Sequence, residues 1–153
     1  IIIKDDSGKI VELVRPCLVN HANPLSRIND VFNGVSVRGN YVGDVMFYGR
    51  GAGAGPTASA VVGDLMQTMR IGGADAPSFV KSDEVSDFRE FRSRHYIALP
   101  KSAAKEAEAA FADAELIESD ECAFVTSSMS ESELERKLST LSESPLSHIR
   151  LLD

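Results

Sequence analysis

Val45-Met46-Phe47-Tyr48-Gly49-Arg50-Gly51-Ala52-Gly53-Ala54-Gly55-Pro56-Thr57-Ala58-Ser59-Ala60-Val61-Val62-Gly63-Asp64-Leu65 joins a strand pattern to a helical one through a glycine-rich stretch. Four glycines in seven positions leave almost nothing to pack, so residues 49–56 are predicted to form a loop whose backbone comes close to something. Pro56 suits the first position of a helix. Beyond it, Ala58, Val61, Val62, Leu65, Met66 and Met69 recur at helical spacing, which predicts one apolar face from about Pro56 to Arg70, ended by Gly72-Gly73. Backbone N–H groups at such a helix start can receive phosphate. The stretch is neither GxxxxGK[ST] nor GxGxxG, so two readings stand: contact with a ligand, or a tight strand-to-helix crossing that needs small residues.

Working outward, Tyr41–Tyr48 and Val31–Arg38 form a predicted hairpin turning at Gly39-Asn40. His21–Ile28 reads as a turn leading into one helical turn. Ile1–Ile3 and Ile10–Val19 read as a first hairpin across Asp5–Gly8, with Arg15-Pro16 ending or edging its second strand. On the other side, Ala74–Asp87 has a linker's composition. Past Arg89 the pattern changes. Strands are predicted at Arg94–Leu99, Glu115–Ser119, Glu121–Ser127 and His148–Leu152, with one helix at Ser102–Ala112 and another opened by the capping pair Ser130 and Glu133. The order βαββαβ is that of a ferredoxin-like unit, and the fold class is α+β.

The chain has 153 residues, 43% of them hydrophobic and 25% charged, which places it among ordinary globular sequences. No apolar run approaches the roughly 20 residues of a membrane span. A net charge of −7 argues against nucleic acid or an anionic membrane as the main partner. Residues 1–72 hold seven basic and six acidic side chains, so nearly all the negative charge lies beyond them. All 11 glycines lie at or before Gly73. Two regions of different chemistry therefore share the chain. Cys17 and Cys122 lack ligand spacing and imply a reducing, cytoplasmic setting with inert thiols. Ile1-Ile2-Ile3 offers neither initiator Met nor leader, and the expectation is a fragment that begins in mid-strand.

Val45–Leu65 closely resembles the end of the catalytic region of homoserine dehydrogenase. Arg15-Pro16-Cys17-Leu18-Val19, Asn23-Pro24-Leu25 and Val31-Phe32-Asn33-Gly34-Val35 resemble the preceding segments of that family, in the same order. The resemblance covers about residues 1–70. It implies NAD- or NADP-dependent interconversion of aspartate semialdehyde and homoserine, on the route to threonine and methionine. It also implies that Gly53 approaches the nicotinamide cofactor, with Gly51, Ala52 and Thr57 as neighbours. The family's Rossmann fingerprint and catalytic lysine match nothing here, so no catalytic residue is assigned. Lys4 and Lys9 flank a polar turn and are read as solvated charges.

The expected organisation is residues 1–72 as the end of the catalytic and substrate region, 73–88 as a linker, and 89–153 as a module resembling ACT-type regulatory domains. In that module Leu99 and Ser102 stand where the usual Asp and Gly would receive an amino-acid effector. Threonine is the effector the resemblance implies, and pairing into a homodimer is the other use of such a sheet. His21, His95 and His148 show no paired spacing and are read as turn, strand-end and strand-surface residues. The acidic residues Asp113, Glu115, Glu118, Asp120 and Glu121 are read as a solvated face, and no metal site is expected.

Overall fold

The computed structural model describes residues 1–4, 8–72 and 85–152. Asp5–Ser7 of the turn expected at Asp5–Gly8, and most of the expected linker, lie outside them. The strands are β1 (Ile2–Lys4), β2 (Ile10–Glu12), β3 (Cys17–Val19), β4 (Phe32–Gly39), β5 (Gly43–Arg50), β6 (His95–Leu99), β7 (Glu115–Ile117), β8 (Cys122–Val125) and β9 (Ser147–Leu152). The α-helices are α1 (Ala54–Ile71), α2 (Ala104–Ala110) and α3 (Glu131–Leu138). Two compact units result, one of Ile1–Val19 with Lys81–Asp153 and one of Asn20–Val80. They cut the chain differently from the sequence segments 1–72, 73–88 and 89–153, because β3 pairs with β9.

The first unit holds a five-stranded sheet in the order β3-β9-β6-β8-β7. β6, α2, β7, β8, α3 and β9 supply the predicted βαββαβ order, and their four strands pair antiparallel. β3 adds a parallel fifth strand, with Cys17, Leu18 and Val19 opposite Arg150, Leu151 and Leu152. The predicted second strand, residues 10–19, is therefore two strands. Pro16 lacks the N–H a continuous ladder would use, and the chain leaves β2 after Glu12 and rejoins a different sheet at Cys17. β1 and β2 form their own antiparallel pair.

One face of the larger sheet carries the core. Ile97, Leu99 and Phe124 meet Ala103, Ala107, Phe111 and Leu134 from the helical side, with Phe111 and Phe124 rings 5.0 Å apart. The small side chains of α2 let that short helix lie close to the strands. α3 opens with the expected reciprocal cap: Glu133 N–H donates to Ser130 Oγ, and Ser130 N–H donates to the Glu133 carboxylate, both at 3.1 Å.

Glu131, in the first turn of α3, is buried and charged. Arg150 of β9, also buried, donates to its Oε2 at 3.2 Å, and Arg15 donates to its Oε1. Burial acts to raise the carboxyl, but hydrogen bonds and charges from Arg15 and then Arg150 hold it below the usual range. Arg15 also lies 4.8 Å over the Phe88 ring. One carboxylate thus ties the segment before β3 to α3 and β9.

Replacing Glu131 by Ala strands a buried guanidinium and is expected to destabilise the first unit by about 3–5 kcal/mol. Arg15→Ala, whose side chain is 44% exposed, is expected to cost only about 1 kcal/mol. Urea denaturation of both variants checks the ranking.

Candidate functional site

The second unit begins with a 3₁₀ turn, Pro24–Arg27, where Asn23 accepts from Leu25 N–H at 3.0 Å and Pro24 presets the backbone. β4 and β5 then form an eight-residue antiparallel hairpin, in register from Phe32 opposite Arg50 to Gly39 opposite Gly43. Its turn is residues 40–42, slightly beyond the predicted Gly39-Asn40, because Gly39 still pairs with Gly43. At the far end, Phe32 stacks on Tyr48 at 4.9 Å and the Arg50 guanidinium covers Phe32 at 4.9 Å. This three-layer stack fixes the strand ends from which the glycine-rich crossing leaves.

The crossing is shorter than the sequence suggests. β5 runs through Gly49 and Arg50, and α1 starts at Ala54, so only Gly51, Ala52 and Gly53 lie outside regular structure. Pro56 is the third helical residue instead of the first. Its missing N–H is harmless there as well, since the first four N–H groups of a helix have no intrahelical partner.

Gly51 N–H donates to Val31 carbonyl at 3.2 Å, and a Cβ on Gly51 would collide with the Asn33 side-chain amide. Gly53 has φ +113° and ψ 153°, a region open essentially to glycine alone. Thr57 N–H donates to Gly53 carbonyl at 3.1 Å, closing the first helical turn.

No side chain caps α1, and Gly51, Ala52, Gly53 and Thr57 are all exposed. The result is an open helix start with unsatisfied N–H groups at the positive end of an 18-residue helix, a geometry suited to negative charge. The four residues singled out from the sequence lie together on this one crossing. Gly72, with φ +73°, closes the helix by donating to Thr68 carbonyl at 3.0 Å.

The predicted apolar face of α1 is present but uncovered: no residue of the helix is buried, and Met69 is 82% exposed. Lys4 ends β1 and Lys9 precedes β2, both exposed. Cys17 and Cys122 are free and half-buried, and burial pushes the Cys122 thiol up. Among the described acidic residues, Glu115 pairs with Arg94 at 2.8 Å and Asp113 is held low by a hydrogen bond from Ser127. His21 lies exposed in a turn, as expected. His95 departs from expectation, being wholly buried and hydrogen-bonded to His148. Spacing could not reveal that pair, because only the pairing of β6 with β9 brings the two rings together.

The fold is a mixed α+β one in which a glycine crossing joins a long hairpin to an open-ended helix. Residues 7–66 match the family model described as homoserine dehydrogenase. The homoserine dehydrogenase of Synechocystis is 52% identical over 67 residues, covering 44% of this chain and 16% of its own. That of Corynebacterium glutamicum is 37% identical over 98 residues, covering 61% and 22%. Among solved structures, homoserine dehydrogenase from Thiobacillus denitrificans matches 99% of this chain and 41% of its own, with TM-score 0.82 at 21% identity, a likeness of fold. The Staphylococcus aureus enzyme at pH 7.0 matches 99% and 40%, with TM-score 0.67 and 25% identity. The chain thus spans about a fifth of the length of the curated relatives it matches. No described helix is long and apolar enough to cross a membrane.

Gly53→Ala forces a Cβ into the glycine-only region and is expected to cost about 1–3 kcal/mol locally. Amide exchange checks it: N–H groups in the first two turns of α1 should exchange faster, with those of β6 and β8 unchanged.

Proposed function

We propose that this chain works as part of a homoserine dehydrogenase, the NAD(P)-dependent enzyme that interconverts L-aspartate 4-semialdehyde and L-homoserine. The observation that carries the reading is the Gly51–Gly53 crossing. It lies within the segment matched by the family, and its backbone suits close approach by an anionic cofactor. When bound, the nicotinamide group supplies the hydride chemistry. Gly53 lets the main chain come near without a Cβ in the way, Gly51 keeps the crossing against Asn33, and Ala52 and Thr57 flank the approach. The uncapped N–H groups of α1 would offer hydrogen bonds to negative charge on the cofactor. The uncovered apolar side of α1 supports the same reading, since a face of that size is stable in water only when something covers it. In this proposal the Rossmann domain and catalytic lysine are contributed by sequence that the 153 residues do not span.

Residues 1–72 then form the end of the catalytic and substrate region, 73–88 a linker and 89–153 an ACT-type module. Within the module, Leu99 stands where an acidic effector contact would be and is fully buried, and Ser102 donates to Glu143 at 3.3 Å. Leu99 therefore supplies no polar contact to threonine. The module is accordingly assigned to holding two copies together as a homodimer in the cytoplasm.

Two measurements test this. The 153-residue chain alone should give no homoserine-dependent NADP reduction, while the polypeptide carrying it in its native source should be active and should lose at least tenfold in kcat/KM for the cofactor on Gly53→Val. Turnover by the isolated chain, or an unaffected Gly53→Val enzyme, would overturn the assignment. Calorimetric titration with threonine is expected to be flat, and a saturable isotherm would restore an effector role.

A further inference from the structure

His95 and His148 are 53 positions apart in sequence, yet β6 and β9 set His95 opposite Arg150 and Ile97 opposite His148. All four residues therefore share one face of the sheet, the face on which Ile97 joins the core beneath the helices. His95 is completely buried, with Nδ1 3.0 Å from His148 Nε2. Its Nε2 lies 3.4 Å from the Met129 carbonyl and 3.4 Å from Ser93 Oγ. Arg150 donates to that same Ser93 Oγ at 2.8 Å and to Phe91 carbonyl at 3.1 Å. The pair is thereby built into the Arg15–Glu131–Arg150 chain.

With the Met129 carbonyl as acceptor, His95 Nε2 carries the proton and Nδ1 accepts from His148 Nε2–H; with the Ser93 hydroxyl donating to Nε2 the direction along the pair reverses, and one facing nitrogen still donates to the other. One added proton fits on the remaining nitrogen of His148, which is exposed, and keeps that bond. A second does not fit, because His95 Nδ1 would then become a donor facing a donor. The charged groups around the rings are Arg150 from β9, Glu131 and Glu135 from α3, and Arg15 from the segment before β3. With both rings protonated, four cations would crowd these two carboxylates.

We infer that the His95–His148 pair is an acid-sensitive latch, holding the segment Arg15–Val19 to β9 and α3 and releasing it when both rings are protonated. Released, the segment loses a strand of only three paired residues, and that strand leads straight into Asn20, where the second unit begins. Burial first, then Arg150 and His148, lowers His95 to about 4. Burial also lowers His148, helped by Arg150 and Arg15 and opposed by Glu131 and Glu135. A histidine whose folded-state value is lowered binds its proton more readily in the unfolded chain. Its stabilising effect is complete above about pH 6.5, falls as pH drops toward 4, and amounts to on the order of 100-fold in the folding equilibrium.

The test is amide exchange on the 153-residue chain, corrected for intrinsic exchange rates, between pH 7 and 4. Amides of β3 and β9 should lose protection steeply below pH 6, while those of β4 and β5 serve as an internal control and stay level. In His148→Gln the amide still donates to His95 Nδ1 and can turn to accept from it, so the loss should move at least half a pH unit lower. Flat protection in the unaltered chain, or the same midpoint in the variant, would overturn the latch. Should the variant misfold, histidine ring titration by NMR on the unaltered chain decides: two independent single-step curves near 6.5 would overturn it, and coupled curves displaced downward would support it.

Discussion

A single carboxylate, that of Glu131, sets the terms for the first unit. Buried charge is tolerable only when it is paired and its oxygens are hydrogen-bonded, and here one oxygen is used by Arg150 and the other by Arg15. The two arginines come from opposite ends of the sequence. The βαββαβ arrangement of residues 95–152 is therefore joined to a strand that arrives from more than seventy residues upstream. The parallel partner of β9 is brought by the chain that carries Arg15, and satisfying Glu131 and widening the sheet are one event.

Local signals in the sequence reach a long way into this fold. The capping pair Ser130 and Glu133, the alanine-rich α2 and the alternating strands each carry their information within a few residues, so the order of elements from 95 to 152 is readable. So are the β4–β5 hairpin and the glycine crossing. The limits are of two kinds. Ends of elements shift by a few residues, as when α1 starts ahead of Pro56, because a proline is tolerated anywhere in the first helical turn. Partnerships across the sheet are not local at all: β3 with β9, Arg15 with Glu131 and His95 with His148 depend on strand register between distant segments. A histidine on an apolar strand gives no sign of the ring it will meet.

Sequence likeness and burial overlap only in part, at Val11 and Leu13. The family match falls on residues 7–66, where α1 buries nothing, whereas most of the buried core falls between 97 and 134. Physical demands explain the contrast. A core position such as Ile97 or Leu134 asks only for an apolar side chain of the right volume, and several residue types comply. Gly53 asks for a backbone that no side chain permits, and Gly51 for a space that Asn33 has already taken.

Among the described residues beyond Gly72, the backbone makes no such demand. The positive-φ positions among the described residues are Gly8, Asp30, Gly43, Gly53 and Gly72, so every turn between β6 and β9 is made in conformations open to any L-amino acid. Those turns can be rewritten residue by residue without backbone strain. What these connections must keep is set by side chains instead: Phe111 and Met129 are buried in the core and Ser130 caps α3, so the C-terminal half is constrained by what its turns bury and not by the backbone angles they adopt.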